Sequence, residues 1–198
     1  MRLTKFTHSC VRLEDDRGVL VIDPGCWSEP TALDGATAVL VTHEHSDHLD
    51  TAELARRDLK VYAPARAHIQ GLEVTSVRSG DCFAAAGLAV RAVGGRHAVV
   101  HGSEPDCVNL GYVIEDSFYH PGDSLTVPDA EIDTLLVPMQ ASWLKTTEAI
   151  GFVRAVAPRR AFGMHEGQLN DRGLDALNAW FGHAAGTDYH YLAPGETA

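Results

Sequence analysis

Three histidines and one aspartate lie within the six residues from His43 to His48, directly after a short apolar stretch of the chain. Successive side chains of an extended segment point to opposite sides, so His43 and His45 can share one cation, while the adjacent Asp47 and His48 can bind a second. Mixed nitrogen and oxygen ligands suit zinc, manganese or iron and do not suit calcium. The alternatives are a solvated histidine-rich loop or a lone structural zinc site. The sequence therefore predicts a metal site after a strand.

A histidine or an aspartate also follows several other apolar stretches. His97 follows Leu88 to Val93, Asp123 follows Phe118 to His120, and His165 follows Arg160 to Met164. Upstream, Asp23 follows Val21 and Ile22 and precedes Pro24 and Gly25.

The motif His43-x-His45-x-Asp47-His48, with these residues in this order, resembles the signature of the metallo-β-lactamase-fold hydrolase superfamily. The resemblance runs from Phe6 to about Trp180. It implies an α+β fold, a four-layer αββα sandwich, formed by a single domain over residues 1–198. It also implies seven metal ligands: His43, His45 and His97 for one cation, Asp47, His48 and His165 for the other, and Asp123 as the bridge. Asp23 is expected to shape the histidine loop as a hydrogen-bond acceptor rather than as a ligand.

Three segments resemble a narrower group, the small bacterial metal-dependent hydrolases grouped with ascorbate-6-phosphate lactonase. These segments are Phe6 to Cys10, Tyr119 to Ser124, and Leu135 to Pro138 followed by Thr147 to Ala149. Asp123 stands where zinc β-lactamases use a cysteine thiolate, and His45 stands where flavo-di-iron proteins have glutamate. The chain is also too short for the inserted second domain of the RNA-processing branch. These three branches are therefore disfavoured.

The resemblance implies a hydrolase with two divalent cations, zinc first, with manganese or iron as alternatives. A hydroxide that bridges the cations would attack a small ester, lactone or phosphodiester. Asp47 is a ligand in this scheme and is also expected to accept the proton of the hydroxide. His101, four residues after His97, is the alternative third ligand. If His97 is the ligand, as its closer position to the strand favours, His101 is expected to donate a proton to the leaving group or to line the loop.

Two other functions stay open. One is a redox enzyme on the same fold, which would bind a single iron and oxidise a persulfide-type substrate. The other is a non-catalytic metal-binding or regulatory module. The signature of such a module would be a missing metal ligand, and a histidine or an aspartate is present at all seven positions.

Composition favours one globular chain in a reducing compartment. The 198 residues are 45% hydrophobic, which suits a globular chain. No apolar run approaches the ~20 residues that span a bilayer. The N-terminus lacks the apolar stretch of a signal peptide. Four scattered cysteines predict buried or partly buried thiols and a cytoplasmic protein. A formal charge of −11 without a basic run disfavours polymeric nucleic acid as a partner, although bound metals would still admit a small anionic substrate. The sequence does not determine whether the chain forms a homo-oligomer.

The apolar pattern predicts many short strands and three helices. The helices cover Asp50 to Arg57, Thr147 to Val156 after a threonine cap, and Asp171 to His183 with a core face of Leu174, Leu177, Trp180 and Phe181. The strands lie near Leu3–Phe6, Cys10–Leu13, Val19–Ile22, Ala38–Val41, Val61–Tyr62, Ala89–Val93, Asn109–Ile114, Ser117–Tyr119, Thr134–Val137, Arg160–Gly163 and Tyr189–Leu192. Glycine and proline between Gly94 and Pro105 indicate a loop near the metals.

The remaining histidines and large side chains lie beside or away from the motif segments. His8 and His120 flank motif segments, so they either orient metal ligands or simply pack. Surface or core positions are expected for His68, His183 and His190, which lie away from every motif. Met139 and Trp143 lie in a loop that could wall the substrate. Trp143, like Trp27, is nevertheless interpreted as an ordinary apolar anchor.

Overall fold

The computed structural model describes residues 1–102 and 107–198. A first sheet has its six strands side by side in chain order: β1 (Arg2–Lys5), β2 (Val11–Asp15), β3 (Gly18–Ile22), β4 (Ala38–Leu40), β5 (Lys60–Pro64) and β6 (Thr75–Val77). Strands β1 to β3 are antiparallel, and β3 to β6 are parallel. Because β3 and β4 run in the same direction, the loops that follow them leave the sheet at the same edge.

The second sheet has its strands in reverse chain order: β13 (Asp188–His190), β12 (Arg160–Met164), β11 (Thr134–Pro138), β10 (Phe118–His120), β9 (Leu110–Ile114), β8 (Leu88–Gly94) and β7 (Cys82–Ala85). Strands β7 to β10 are antiparallel, and β10 to β13 are parallel. Strand β8 therefore runs in the same direction as β10, β11 and β12. The loops after these four strands all leave at one edge of the sheet.

The main core lies between the two sheets. Alternate residues of the first sheet, including Val11, Leu13, Leu20 and Ile22, pack with Val90, Ala92, Tyr112 and Ile114 of the second. The outer face of the second sheet packs against helices α2 (Thr146–Val156) and α3 (Asp171–Ala184), whereas the outer face of the first packs against a short 3₁₀ helix (Pro30–Leu33) and helix α1 (Thr51–Leu54). These four layers confirm the predicted αββα arrangement.

Two strands were missing from the sequence prediction. Strand β6 has only three residues, two of them exposed, so it shows no apolar run. Strand β7 is rich in alanine, which has little strand preference, and its partner β8 supplies the long apolar stretch. Each of these strands is held in place by pairing with its neighbour, β6 with β5 and β7 with β8, rather than by its own composition.

The helices differ from the prediction in three details. Helix α1 is confined to four residues, although Asp50 caps it as expected by accepting a hydrogen bond from the Glu53 backbone N–H. The cap of α2 is Lys145 rather than a threonine, and its N–H donates to the Glu148 carboxylate at 3.2 Å. Trp180 of α3 is 58% exposed, because the 100° step per residue rotates it away from the buried Phe181.

None of the four cysteines is in a disulfide, but their burial is more varied than predicted. Cys10 is buried and Cys107 is partly buried, whereas Cys26 and Cys82 are exposed. Burial raises the pKa of the Cys10 thiol to about 12. Within the described ranges, no helix is long and apolar enough to cross a bilayer.

Candidate metal centre

The histidine loop, His43 to His48, begins three residues after the end of β4 and turns so that its imidazoles converge. His43 Nε2 and His45 Nδ1 lie 3.1 Å apart, and the ring centroids are separated by 4.6 Å. Gly25 lies against this loop, and any side chain there would meet the Asp47 carbonyl oxygen within 1.9 Å. The predicted convergence of the two histidines is therefore present, with the loop packed tightly against the segment that follows β3.

Asp23 fixes the shape of the loop. Its Oδ1 accepts the Thr42 backbone N–H at 2.7 Å, and its Oδ2 accepts the Thr42 hydroxyl and His48 Nδ1, each also at 2.7 Å. The bond to Asp23 places a proton on Nδ1 of His48 and turns Nε2 towards the centre. The interpretation of Asp23 as a loop-shaping acceptor is confirmed.

Asp123 lies between the two groups of histidines. Its Oδ1 is 3.2 Å from His48 Nε2, and its Oδ2 is 3.2 Å from His165 Nε2 and 3.3 Å from His97 Nε2. The indole N–H of Trp143 also donates to Oδ2, at 3.1 Å. Interpreting Trp143 as an ordinary apolar anchor was therefore wrong, since its side chain contacts the central carboxylate.

The turn that presents Asp123 needs a glycine. Gly122 has φ +61, and a Cβ there would lie 2.3 Å from Asn109 Oδ1 and 2.7 Å from the Thr42 side chain. Asn109 in turn accepts the Asp123 backbone N–H at 2.9 Å and donates to the Pro121 carbonyl at 2.8 Å. His120 supports the same turn by accepting the Gly122 N–H through Nδ1.

His8 supports Asp47 and is not itself a good ligand. Its Nδ1 accepts the Gly167 backbone N–H at 3.1 Å, so the ring proton lies on Nε2, which donates to Asp47 Oδ2 at 3.0 Å. Nε2 could bind a cation only if the proton moved to Nδ1, where it would face another donor. His8 therefore orients Asp47 through this hydrogen bond and does not itself bind a cation. Its backbone is left-handed, with φ 67.

A buried ion pair fastens the same region across the two sheets. Lys5, at the end of β1, contacts both carboxylate oxygens of Glu166 at 3.0 and 3.1 Å, and both residues are buried. Glu166 also accepts the His8 backbone N–H at 2.8 Å, and the His165 N–H donates to the His8 carbonyl at 3.1 Å. We call this set of contacts, formed by Lys5, His8 and His165–Gly167, the inter-sheet clasp.

The electrostatics favour ionised carboxylates and lower the pKa of His8, His43 and His45. Burial opposes the charge of Asp123, but His48 and His165 outweigh it and hold the pKa of Asp123 well below its usual range. Burial likewise opposes the charge of Asp47, yet the hydrogen bond from His8 and the charge of His48 lower its pKa to about 2. Burial depresses the pKa of His43 well below the usual value, which leaves its nitrogen free to bind a metal.

His48 is the exception. Burial would lower its pKa, but Asp123 and Asp23 outweigh this and raise the pKa of His48 well above the usual value. A cation that binds His48 at Nε2 therefore competes with a proton.

The donor set fits metal ions. Among the described residues, Nε2 of His48, His97 and His165 and Oδ1 of Asp123 are buried without a hydrogen-bond partner, an expensive arrangement unless a cation accepts their lone pairs. Ligand atoms lie within 4.8 Å of one another in three groups: His43, His45 and His97; His43, His48 and Asp123; and His8, Asp47, His48 and His165. The structure thus brings all seven predicted ligands together.

The remaining candidate residues lie on a cavity wall, on the surface or in the core. A cavity of about 600 Å³ beside His45 and His97 is lined by His101, and also by His68, which was expected to lie away from the site. The His68 backbone N–H donates to the Glu44 carboxylate, a contact across 24 residues that no local pattern indicates. His183 and His190 are exposed, and Met139 is buried in the core rather than forming a wall. Pro105, the predicted end of the glycine-containing loop, lies outside the described residues.

Comparisons with known proteins agree with this geometry. A family model for the β-lactamase superfamily domain matches residues 2–165. Protein Rv0786c of Mycobacterium tuberculosis is 38% identical to the chain, over 100% of this chain and 99% of that protein. The UPF0173 metal-dependent hydrolase MK1542 of Methanopyrus kandleri is 29% identical over 84% of each. The structure of Igni18, a metallo hydrolase from Ignicoccus hospitalis, has a TM-score of 0.77 at 21% identity and covers 100% of this chain and 97% of that one; it shows the shared fold alone.

Proposed function

The chain belongs to the β-lactamase superfamily, and from that premise we propose that it is a metal-dependent hydrolase that cleaves a small ester, lactone or phosphodiester at a centre of two divalent cations. The observation that carries the proposal is the position of Asp123, whose two oxygens lie 3.2 to 3.3 Å from imidazole nitrogens of His48, His97 and His165. A carboxylate between two groups of nitrogen ligands is suited to bridge two metals. The narrower similarity to ascorbate-6-phosphate lactonase stays a prediction.

Each cation has a proposed ligand set. His43, His45 and His97 would hold the first, Asp47, His48 and His165 the second, and Asp123 both. Zinc is the first choice, with manganese or iron as alternatives, because nitrogen and oxygen ligands accept all three. When bound, the two cations would polarise the substrate and supply a hydroxide at neutral pH.

Two residues receive proton-handling roles. Asp47 is first a ligand, and its side chain is also 21% exposed, so it can pass a proton from the reaction to solvent. His101, on the wall of the cavity beside His45 and His97, is assigned as the proton donor to the leaving group.

The cavity supports a small substrate, and an anionic one is compatible with its lining. Arg96, His68 and His101 are basic residues on its described wall, whereas Glu44 is the acidic one and already accepts the His68 N–H. The formal charge of −11 continues to disfavour polymeric nucleic acid. A cytoplasmic location remains part of the proposal, in keeping with four cysteines that form no disulfide.

The test is metal analysis of protein purified without chelator, followed by assays on p-nitrophenyl esters, lactones and bis-p-nitrophenyl phosphate. We expect close to two zinc or manganese ions per chain and turnover of at least one substrate class, which chelation abolishes and metal restores. If the protein instead contained one iron per chain and hydrolysed none of these substrates, the alternative of a redox enzyme on the same fold would be favoured.

His97, rather than His101, is expected to be the third ligand of the first cation. Its ring lies 4.9 Å from the rings of both His43 and His45, and its Nδ1 is directed to the Ala98 carbonyl, which leaves Nε2 for the metal. The variant His97→Ala should lose bound metal, whereas His101→Ala should retain it. Metal counting on both variants decides the assignment, which is reversed if only His101→Ala loses metal.

A further inference from the structure

The cavity of about 600 Å³ borders the first of the two proposed cation positions. His45 and His97 line the cavity, so the reacting bond of a bound substrate would lie beside them. Ala98, Val99 and Val100 follow His97 directly and also line the cavity. A ligand whose reacting group is held at the two histidines therefore extends along this aliphatic segment.

The two valines are unusually exposed. Val99 is 65% and Val100 is 50% exposed, and in the described part of the chain few other large apolar side chains exceed 40%. A single exposed valine is ordinary on a protein surface, and Val127, 48% exposed and outside the cavity lining, is such a case. Val99 and Val100 differ because they are adjacent, lie in a concave site and follow a proposed metal ligand. Apolar side chains placed beside polar groups in a concave site are typical of small-molecule sites.

We propose that Val99 and Val100 bind the hydrocarbon part of the substrate, so that the preferred substrate is an ester or lactone with an alkyl or acyl chain of several carbons. This inference rests on the proposed hydrolase function and selects among its substrate classes. Arg96, His68 and His101, on the same cavity, supply the polar contacts that orient such a molecule. The hydrocarbon chain leaves water when it covers the valines, and each buried methylene strengthens binding about fourfold.

The test is a series of p-nitrophenyl esters from acetate to hexanoate, with the protein as purified. We expect kcat/KM to rise at least tenfold along the series. In the double variant Val99→Ser and Val100→Ser, the hexanoate-to-acetate ratio should fall about tenfold, because the exposed apolar surface of both side chains is lost. The matched control Val127→Ser removes an equally exposed valine outside the cavity and should leave the ratio unchanged.

A binding measurement separates this inference from the proposed function. N-phenyl-1-naphthylamine, an uncharged apolar fluorophore, should bind the wild type and the Val127→Ser control alike and the double variant about tenfold more weakly. If no ester is cleaved but the double variant loses the fluorophore, the apolar site stands and the hydrolase proposal fails. If esters are cleaved with a flat chain-length series and fluorophore binding is equal in all three proteins, the apolar site is overturned and the hydrolase stands.

Discussion

Replacing Asp123 with alanine is expected to lower kcat/KM for hydrolysis by about a thousandfold and to reduce the bound metal, while the protein stays folded. Lewis-acid stabilisation by a metal is worth several kcal/mol, and each 1.36 kcal/mol corresponds to a tenfold change in rate. Asp123 is the side chain that faces both groups of histidines, so its removal should weaken both cation positions together. Metal content and kinetics on the same preparation measure the two effects.

Two further variants make this result specific. Asp129→Ala removes an exposed carboxylate outside the site and should change neither metal content nor rate. Asp123→Asn preserves the shape of the side chain but not its charge, and should resemble Asp123→Ala in metal content. Circular dichroism checks that each variant is folded. Full activity in a folded Asp123→Ala protein would contradict a two-cation mechanism.

Replacing Lys5 with methionine is expected to destabilise the protein by about 3–5 kcal/mol, because it leaves the Glu166 carboxylate buried and uncompensated. For a chain of this size, 1 kcal/mol shifts Tm by about 2–4 °C, so Tm should fall by roughly 6–20 °C. Burial lowers the pKa of Lys5 despite the opposing effect of Glu166, which indicates how strongly this position excludes water. Thermal unfolding in the presence of chelator measures the change without a contribution from metal binding.

The control is an exposed ion pair of the same type. Lys145 contacts Glu148 at 3.4 Å with its side chain 78% exposed, so Lys145→Met should cost less than about 1 kcal/mol. The double variant Lys5→Met with Glu166→Gln removes the uncompensated charge but keeps an acceptor for the His8 N–H, and should recover part of the loss. Equal effects of Lys5→Met and Lys145→Met would show that the inter-sheet clasp does not stabilise the fold.

The proposed ligands could be picked out in the sequence because the resemblance supplied their order and each is a histidine or an aspartate in a segment that follows an apolar strand. His43, His45, Asp47 and His48 form one local motif, and Asp23 lies at the end of the neighbouring parallel strand. Periodicity also located most of the strands, since their alternate residues fill the core between the sheets. The local motif and the resemblance together thus indicated residues that the fold brings close to one another.

The surroundings of the centre could not be found in this way, because they depend on contacts between distant residues. Trp143 reaches Asp123 across 20 residues, and Lys5 reaches Glu166 across 161. The role of His8 became clear only from the backbone donor of Gly167, which determines the ring proton. In the sequence alone, Trp143, Lys5 and His8 carry no sign of these contacts.

The backbone at the centre has a consequence for protein engineering. His8, Asp23 and His165 have φ values of 67, 52 and 65, in the left-handed region where side chains with a Cβ cost about 1 kcal/mol each and glycine costs nothing. Glycine would relieve this strain, but at Asp23 and His8 it would also remove buried hydrogen bonds that are worth more than the strain, so the substitution would lose stability as well as the chemistry. Stabilising libraries for this scaffold should hold these residues constant and draw their gains from the sheets and helices.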